Sequence, residues 1–475
     1  MIAPARLAAY EVLRAVNGGR ADLPNALARA RTALADERDR ALAGEIATGT
    51  LRWQAAFDHV VSEFARRPAG KLDPEVLDVL RLTAFQLLHL DRVPASAAVN
   101  DAVNLTRKVG KKSAAPLVNA VLRRISRDRR QLPLPPRPDF HGWHLSAKGA
   151  SREPAGEERA GERARGSAVD YLSITLSHPR WLVERWFERY GFEAAEAWAR
   201  FDNAPAALTL RANTLRATRD DVSARLAEHG VVTEHTRFAP DGLVVRSGNP
   251  LLTPLAGGGL FFVQDEASQL IALFAAAKPE ERVLDLCASP GGKTTAMAAS
   301  MRDRGLVVAG DVRPRRVELL ARTVAASTAT CIRIVQADAA EMLPFGEDFT
   351  CVLLDAPCSG LGTLRRDPDI RWRRSAEDLP SLADAQLRML ERAAAVVQDD
   401  GRLIYATCSS EPEENEGVVS RFLARHPGFR PAGAPELPAA VQPFLTPYGH
   451  LRTLPFRDQL EGFFAAMVVK TKDLR

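Results

Sequence analysis

From the start of the chain to about residue 130 the apolar positions fall three and four apart: Ala9, Val12, Leu13 and Val16; Leu77, Leu80, Ala84, Leu87 and Leu88; Val118, Val121, Leu122 and Ile125. This spacing lays one apolar stripe along each of several short helices and predicts an all-α bundle, because each stripe must bury itself against another. Asp73-Pro74 and Val93-Pro94 punctuate the pattern, since a residue before proline is pushed out of helical geometry. The periodicity then stops. QLPLPPRPDF, from Gln131, places four prolines in six positions, and SAKGASREPAGEERAGERARGSA follows with small and charged residues, so a mobile tether is expected up to about residue 170.

Periodicity resumes at His178-Pro179, with Val183, Trp186, Phe187 and Tyr190 on one helical face as expected core. ALTLRAN, TRDDVSARLAEHG and GLVVRSG then read as strand, helix and strand. From Phe261 onward RVLDL, GLVVAG, IRIVQ, TCVLLD and RLIYAT are short apolar runs separated by helix-length stretches, which predicts a parallel, doubly wound sheet. In such a sheet ligands bind beyond the carboxyl ends of the strands.

After RVLDL stand Cys287, Ala288, Ser289, Pro290, Gly291, Gly292 and Lys293, a glycine-rich turn opening a helix. Such a turn lets the backbone approach a ligand and presents free helix N–H groups to an anion. A phosphate-cradling loop needs glycine where Cys287 stands, and the dinucleotide pattern G-x-G-x-x-G is absent. A nucleoside cofactor without phosphates remains, and S-adenosylmethionine fits: its carboxylate meets the helix N-terminus, Asp311 stands where such folds bond the ribose, and Asp338 stands beside the adenine. Taken singly, each acid reads as a helix N-cap before it reads as a ligand group; three successive strand ends together favour a site. Lys293 reads equally as a cation that lowers the pKa of a nearby thiol or as a residue that merely caps or pairs with a carboxylate.

Composition adds two things. The 475 residues are 46% hydrophobic and 26% charged, enough for more than one buried core. The net charge of +5 is too slight to imply a nucleic-acid partner, so clustering matters more. Arg107-Lys108, Lys111-Lys112, Arg123-Arg124, Arg127 and Arg129-Arg130 form one basic cluster and RRDPDIRWRR, Arg365 to Arg374, another; both read as phosphate tracks. No apolar run is long enough to span a bilayer, and the first residues carry charges too early for an export signal, so a soluble, cytoplasmic chain is expected.

The five cysteines contain no CxxC pair, which argues against a disulfide framework or a zinc site, and His141 and His144 lack ligand partners. Cys331 and Cys351 read as packing residues. Cys358 and Cys408 lie just past neighbouring strand ends beside Asp355, an arrangement that suggests covalent chemistry.

DLCASPGGKTT, DAPCSGLGT, YATCS followed by PEENE, and RTLPFRDQLEGFFAAMV resemble the motif series of S-adenosylmethionine-dependent RNA 5-methylcytosine methyltransferases. AAYEVLRAV, ATGTLRW, LRLTAFQLLHLDRVP and PLVNAVLRR resemble the NusB-like RNA-binding domain that precedes the catalytic domain in the RsmB type, which modifies 16S ribosomal RNA. The resemblance covers nearly all the chain outside about 133 to 168. Ser289 departs from the family's usual alanine, and the tether is longer than usual.

The resemblance implies a multidomain chain: residues 1–132 a NusB-like helical domain, 133–169 a flexible linker, 170–255 a small α/β RNA-binding module, and 256–475 a Rossmann-like class I methyltransferase domain. It implies methylation of cytosine C5 in 16S ribosomal RNA, free or in a partly assembled small subunit, by a monomer without a metal. Cys408 would add to C6, Cys358 would assist release, and Asp355 would meet the N3 edge while also joining Cys287–Lys293, Asp311 and Asp338 around the cofactor. Cytosine-5 enzymes acting on DNA use a proline-cysteine nucleophile, so the exchanged assignment of the two thiols stays open. The target base must be unpaired or flipped out. A non-catalytic RNA-binding factor explains only the helical part and the basic clusters; a Rossmann oxidoreductase or nucleotide hydrolase lacks its phosphate signature.

Overall fold

The computed structural model describes residues 2–139 and 155–472, so His141 and His144 lie outside the described residues. The chain divides into two compact units, Met1–Pro205 with Leu364–Arg374, and Ala206–Thr363 with Ser375–Arg475.

In the first unit, helices Pro4–Asn17, Leu23–Ala33, Glu37–Arg52, Gln54–Ala65, Pro74–His89, Ala95–Lys108 and Ala115–Arg127 form the expected bundle. Every stripe residue named above is buried except Leu88, which packs half-buried against the same core. Pro179 caps the helix Arg180–Tyr190, whose Val183, Trp186 and Phe187 are buried, with Trp186 stacked on Trp198 at 4.6 Å.

Two features depart from the sequence reading. Ala155–Asp170 is helical, inside the stretch read as a tether. It lacks an apolar stripe, but AGEERAGERAR is rich in Ala, Glu and Arg, which are strong helix formers, so propensity acts where periodicity is silent. The RRDPDIRWRR run is not an open basic track either: of its five arginines only Arg373 is exposed, and it pairs with Asp369 at 3.1 Å. Arg371 is fully buried, donating to Ser177 O at 2.9 Å, Asn203 Oδ1 at 3.0 Å and Arg52 O at 3.2 Å. Its guanidinium satisfies carbonyls of the helical unit rather than phosphates.

In the second unit, β1 (Thr209–Ala212), β2 (Val232–His235), β3 (Gly242–Ser247) and β4 (Phe261–Val263) make an antiparallel sheet in the order β2-β3-β1-β4. The predicted strands are β1 and β3; β2 is an edge strand with mostly exposed side chains, and so carries no apolar signal. The main sheet comprises β5 (Arg282–Leu286), β6 (Leu306–Asp311), β7 (Ile332–Gln336), β8 (Phe349–Asp355), β9 (Val397–Thr407), β10 (Phe429–Pro431), β11 (Leu451–Arg452) and β12 (Phe464–Lys470). The order is β10-β12-β9-β8-β5-β6-β7, with β11 on β12.

Strands β5 to β9 pair in parallel, as expected. The other edge is antiparallel, making the sheet mixed: β12 runs against β9, with Phe464 opposite Thr407. The short connection from β11 to β12 holds no crossover helix of the length a parallel return needs. Both faces are covered, Val283 and Leu353 packing in one core and Leu284, Leu286 and Leu354 in the other. From β5 the chain steps outward through β6 and β7, then crosses to β8 on the far side of β5. The crevice at the carboxyl ends of β5 and β8 is therefore the topological switch point, where a ligand is expected.

Candidate active site

The turn after β5 is shaped chiefly by main chain. Ala288 N donates to Gly310 O at 2.9 Å and Gly291 N to Ala288 O at 2.8 Å. Gly291 has φ +102°, and a side chain there would meet Leu320 at 2.9 Å, so glycine is required both by conformation and by space. The helix Gly292–Ser300 starts directly after it, with no side chain capping its first N–H groups. Arg211 braces this start from β1, donating to Thr295 Oγ1 at 2.8 Å and Gln264 Oε1 at 2.6 Å.

Carboxylates ring the crevice. Asp311, at the end of β6, is buried and accepts from Ser289 N at 3.3 Å and Arg316 Nε at 3.0 Å. Asp338, just past β7, is exposed and accepts from Ala340 N at 2.9 Å, the capping role that aspartate often takes. Asp355, ending β8, accepts from Lys293 Nζ at 2.7 Å. That contact is the carboxylate pairing that one reading of Lys293 anticipates. Burial opposes the lysine's charge, but Asp355 outweighs it and holds the ammonium above its ordinary range.

Sequence reasoning missed Asp285, inside the apolar run RVLDL. It is wholly buried; Thr294 Oγ1 donates to its Oδ2 at 2.6 Å, and its Oδ1 has no hydrogen-bond partner. Burial pushes it up to about 7, with Asp355 adding to the rise. An acid one place before the end of the strand that leads into the glycine turn was the available signal. This donor set fits S-adenosylmethionine. Buried carboxylates favour a cationic sulfonium and repel phosphates, the open helix start suits a carboxylate, and the orphaned Asp285 oxygen awaits a donor.

The two thiols meet. Cys358, in the loop after β8, and Cys408, directly after β9, lie with Sγ atoms 3.3 Å apart, both partly exposed. The hydrogen bond to Cys408, then burial, then the charges of Cys408 and Glu414 hold the Cys358 thiol well above its usual range. Cys331 and Cys351 are buried packing residues, and burial raises them to about 12 and about 11. Cys287, in the turn, is likewise raised to about 12 by burial and by the surrounding aspartates, which makes it an inert lining group. The thiol loops close on Gly362, whose N donates to Cys408 O at 2.9 Å and whose O accepts from Gly462 N at 2.7 Å. A side chain at Gly362 would strike Gly462 O at 1.9 Å.

In the helical unit, Arg107, Lys112, Arg123, Arg124 and Arg127 line a groove of ≈ 1270 Å³ together with Ala95, Ala115 and Ala120. All five are exposed; Arg127 and Arg124 pair with Asp128 at 2.8 and 3.6 Å, and Lys111 of the same cluster pairs with Asp73 at 3.2 Å. Among the described residues no helix is long and apolar enough to cross a membrane.

Known proteins bear on this geometry. Residues 272–469 match the family described as 16S rRNA methyltransferase RsmB/F, residues 3–127 the NusB family, and residues 178–251 the ferredoxin-like domain of RsmF/B-like methyltransferases. The chain is 33% identical over 441 residues, 91% of each protein, to the Probable ribosomal RNA small subunit methyltransferase B of Bacillus subtilis (strain 168). It is 33% identical over 469 residues, 98% of each, to the Ribosomal RNA small subunit methyltransferase B of Pseudomonas putida (strain KT2440). The crystal structure of PH0851 superposes with a TM-score of 0.75 at 26% identity, covering 99% of both chains.

Proposed function

The chain belongs to the RsmB/F family of 16S rRNA methyltransferases, and from that membership we propose that it methylates C5 of a cytosine in 16S ribosomal RNA through a Cys408–C6 adduct. S-adenosylmethionine is the cofactor and supplies an electrophilic methyl group. The observation that carries the reading is the thiol pair, 3.3 Å apart and flanked by the Lys293–Asp355 ion pair.

Cytosine C5 is a weak nucleophile. Addition of the Cys408 sulfur at C6 forms an S–C bond and moves electron density onto C5, the atom to be methylated. Asp355 is suited to hydrogen-bond the protonated N3 edge, where charge develops. The Lys293 ammonium is held charged beside Asp355. Cys358 is held as a protonated thiol. A thiol held protonated is the poorer nucleophile, which supports Cys408 in that role over the exchanged assignment.

After methyl transfer, loss of the C5 proton to solvent re-forms the C5–C6 double bond, and the C6–S bonding pair returns to Cys408. The Cys358 S–H, in hydrogen-bond contact with that sulfur, assists its departure. The basic groove of the helical unit fits the backbone of the RNA, and a monomer acting in the cytoplasm suffices for this chemistry. The cofactor contacts proposed are Cys287, Ala288, Ser289, Pro290, Gly291, Gly292, Lys293, Asp311, Asp338 and Asp355.

Cys408→Ala is expected to abolish transfer of tritiated methyl to 16S ribosomal RNA while S-adenosylmethionine binding, followed by calorimetry, survives. Cys358→Ala is expected to accumulate a protein–RNA adduct on a denaturing gel. Full transfer by Cys408→Ala would overturn the reading.

A further inference from the structure

The two thiols stand on different loops, after β8 and after β9, yet their sulfurs are in contact, so something must hold those loops in register. Beyond the Gly362 N–Cys408 O main-chain bond, one carboxylate bonds the residue after each thiol. Glu414, of the PEENE segment, is completely buried. Its Oε1 accepts from Ser359 N, the residue after Cys358, at 2.8 Å, and from Gln386 Nε2 at 2.9 Å. Its Oε2 accepts from Ser409 Oγ, the residue after Cys408, at 2.5 Å. The two serine hydroxyls are 3.1 Å apart, and Gln386 also donates to Pro357 O, just before Cys358, at 3.0 Å. Tyr405, within β9, closes the cluster by donating to Glu414 O at 2.5 Å.

Two further facts set Glu414 apart. Among the described residues no lysine or arginine pairs with this buried acid, so its hydrogen bonds are all that offset its desolvation. Its neighbour Asn415 grips only one of the loops, bonding Thr407 Oγ1 at 2.6 Å and Ser409 O at 2.9 Å. Glu414 is bonded to both.

We propose that Glu414 is the positioning residue that holds the Cys358 loop against the Cys408 loop, setting the sulfur–sulfur contact on which release of the RNA adduct depends. The inference rests on the proposed roles of the two thiols. Its charge adds to the Cys408 hydrogen bond and burial that keep Cys358 a thiol, the form that assists a departing sulfur. The reacting atoms never meet Glu414; it acts through the loops it fastens.

The test follows the adduct in time on denaturing gels, with 16S ribosomal RNA and saturating S-adenosylmethionine, in the full chain. Glu414→Ala is expected to form the adduct and transfer the methyl group but to release RNA about tenfold or more slowly, the scale that a small misplacement of a reacting group produces. Its cofactor affinity should stay unchanged. Glu414→Gln keeps an acceptor of the same size and should restore most of the release rate while shifting its pH profile, because the charge near Cys358 is gone. Should Glu414→Ala fold poorly, Gln386→Ala, which removes one strut and leaves the acid, is expected to slow release by a smaller factor with the same unchanged methyl transfer. Parental release rates in both Glu414 variants would overturn the proposal if Cys358→Ala still traps the adduct. If Cys358→Ala traps nothing, the thiol assignment itself fails, and the two failures are thereby told apart.

Discussion

At the end of β5 the turn from Cys287 to Lys293 is held chiefly by main chain, through Ala288 N to Gly310 O of β6 at 2.9 Å, Gly291 N to Ala288 O at 2.8 Å, and a glycine at φ +102°. At the ends of β8 and β9 the two thiol loops share one main-chain bond, Gly362 N to Cys408 O, and are otherwise tied by side chains: Glu414, Gln386, Ser359, Ser409 and Asn415. A cofactor surface needs a close, fixed backbone with open N–H groups, which conformation alone supplies. A pair of sulfurs brought from two loops needs a tie between them, which conformation does not supply. The same sheet therefore carries one site written in local turn chemistry and one written in long-range hydrogen bonds.

The residue that joins the two sites breaks this division most severely. Lys293 opens the helix of the cofactor turn, pairs with Asp355 at 2.7 Å and interacts with Cys408. Lys293→Met keeps the stem but leaves Asp355 without its cation and Cys408 without its nearby positive charge. Methyl transfer is expected to fall about a hundredfold, the range found when a positioned charge is lost from an active site. Adduct formation and cofactor affinity should fall together, read by gel and by calorimetry. A loss confined to either would show that the two sites are not coupled through this side chain.

A backbone lesion should separate them. Gly291→Val forces a β-branched residue into a left-handed conformation and against Leu320. Cofactor affinity is expected to drop about tenfold, in line with 1–2 kcal/mol of strain. With cofactor raised to compensate, the rate of adduct release should be parental, because the Glu414 ties are intact.

This division also explains what the sequence made legible. The glycine turn was readable because its constraint is local, and the thiols because strand ends follow apolar runs. Gln386 and Glu414 were not, since their meaning arises only where the helix Asp378–Ala394 brings Gln386 against the segment after β9. The basic run at 365–374 misled for a related reason. Its charge pattern is the same whether an arginine faces phosphates or, like Arg371, caps buried carbonyls. The helix Ala155–Asp170 escaped because periodicity detects burial, and that segment has little to bury. The bundle and the parallel strands, by contrast, announced themselves through burial itself.

The smallest effect expected comes from Asp285, the buried acid under the turn. Its value of about 7 lies above that of an unfolded aspartate, 3.8, so between those values the folded protein binds more protons than the unfolded chain. Stability must therefore fall as pH rises through that window, the reverse of a salt-bridged aspartate. Asp285→Asn keeps an oxygen for the Thr294 hydroxyl but cannot ionise. In the cofactor-free protein the melting temperature of the parent, relative to this variant, is expected to drop by about 1–2 °C or more between pH 5 and pH 8. Glu414→Gln should not reproduce that profile, because its pH signature belongs to adduct release. If both variants moved the same pH curve, the backbone site and the side-chain site would be one titrating network, and the contrast between them would fail.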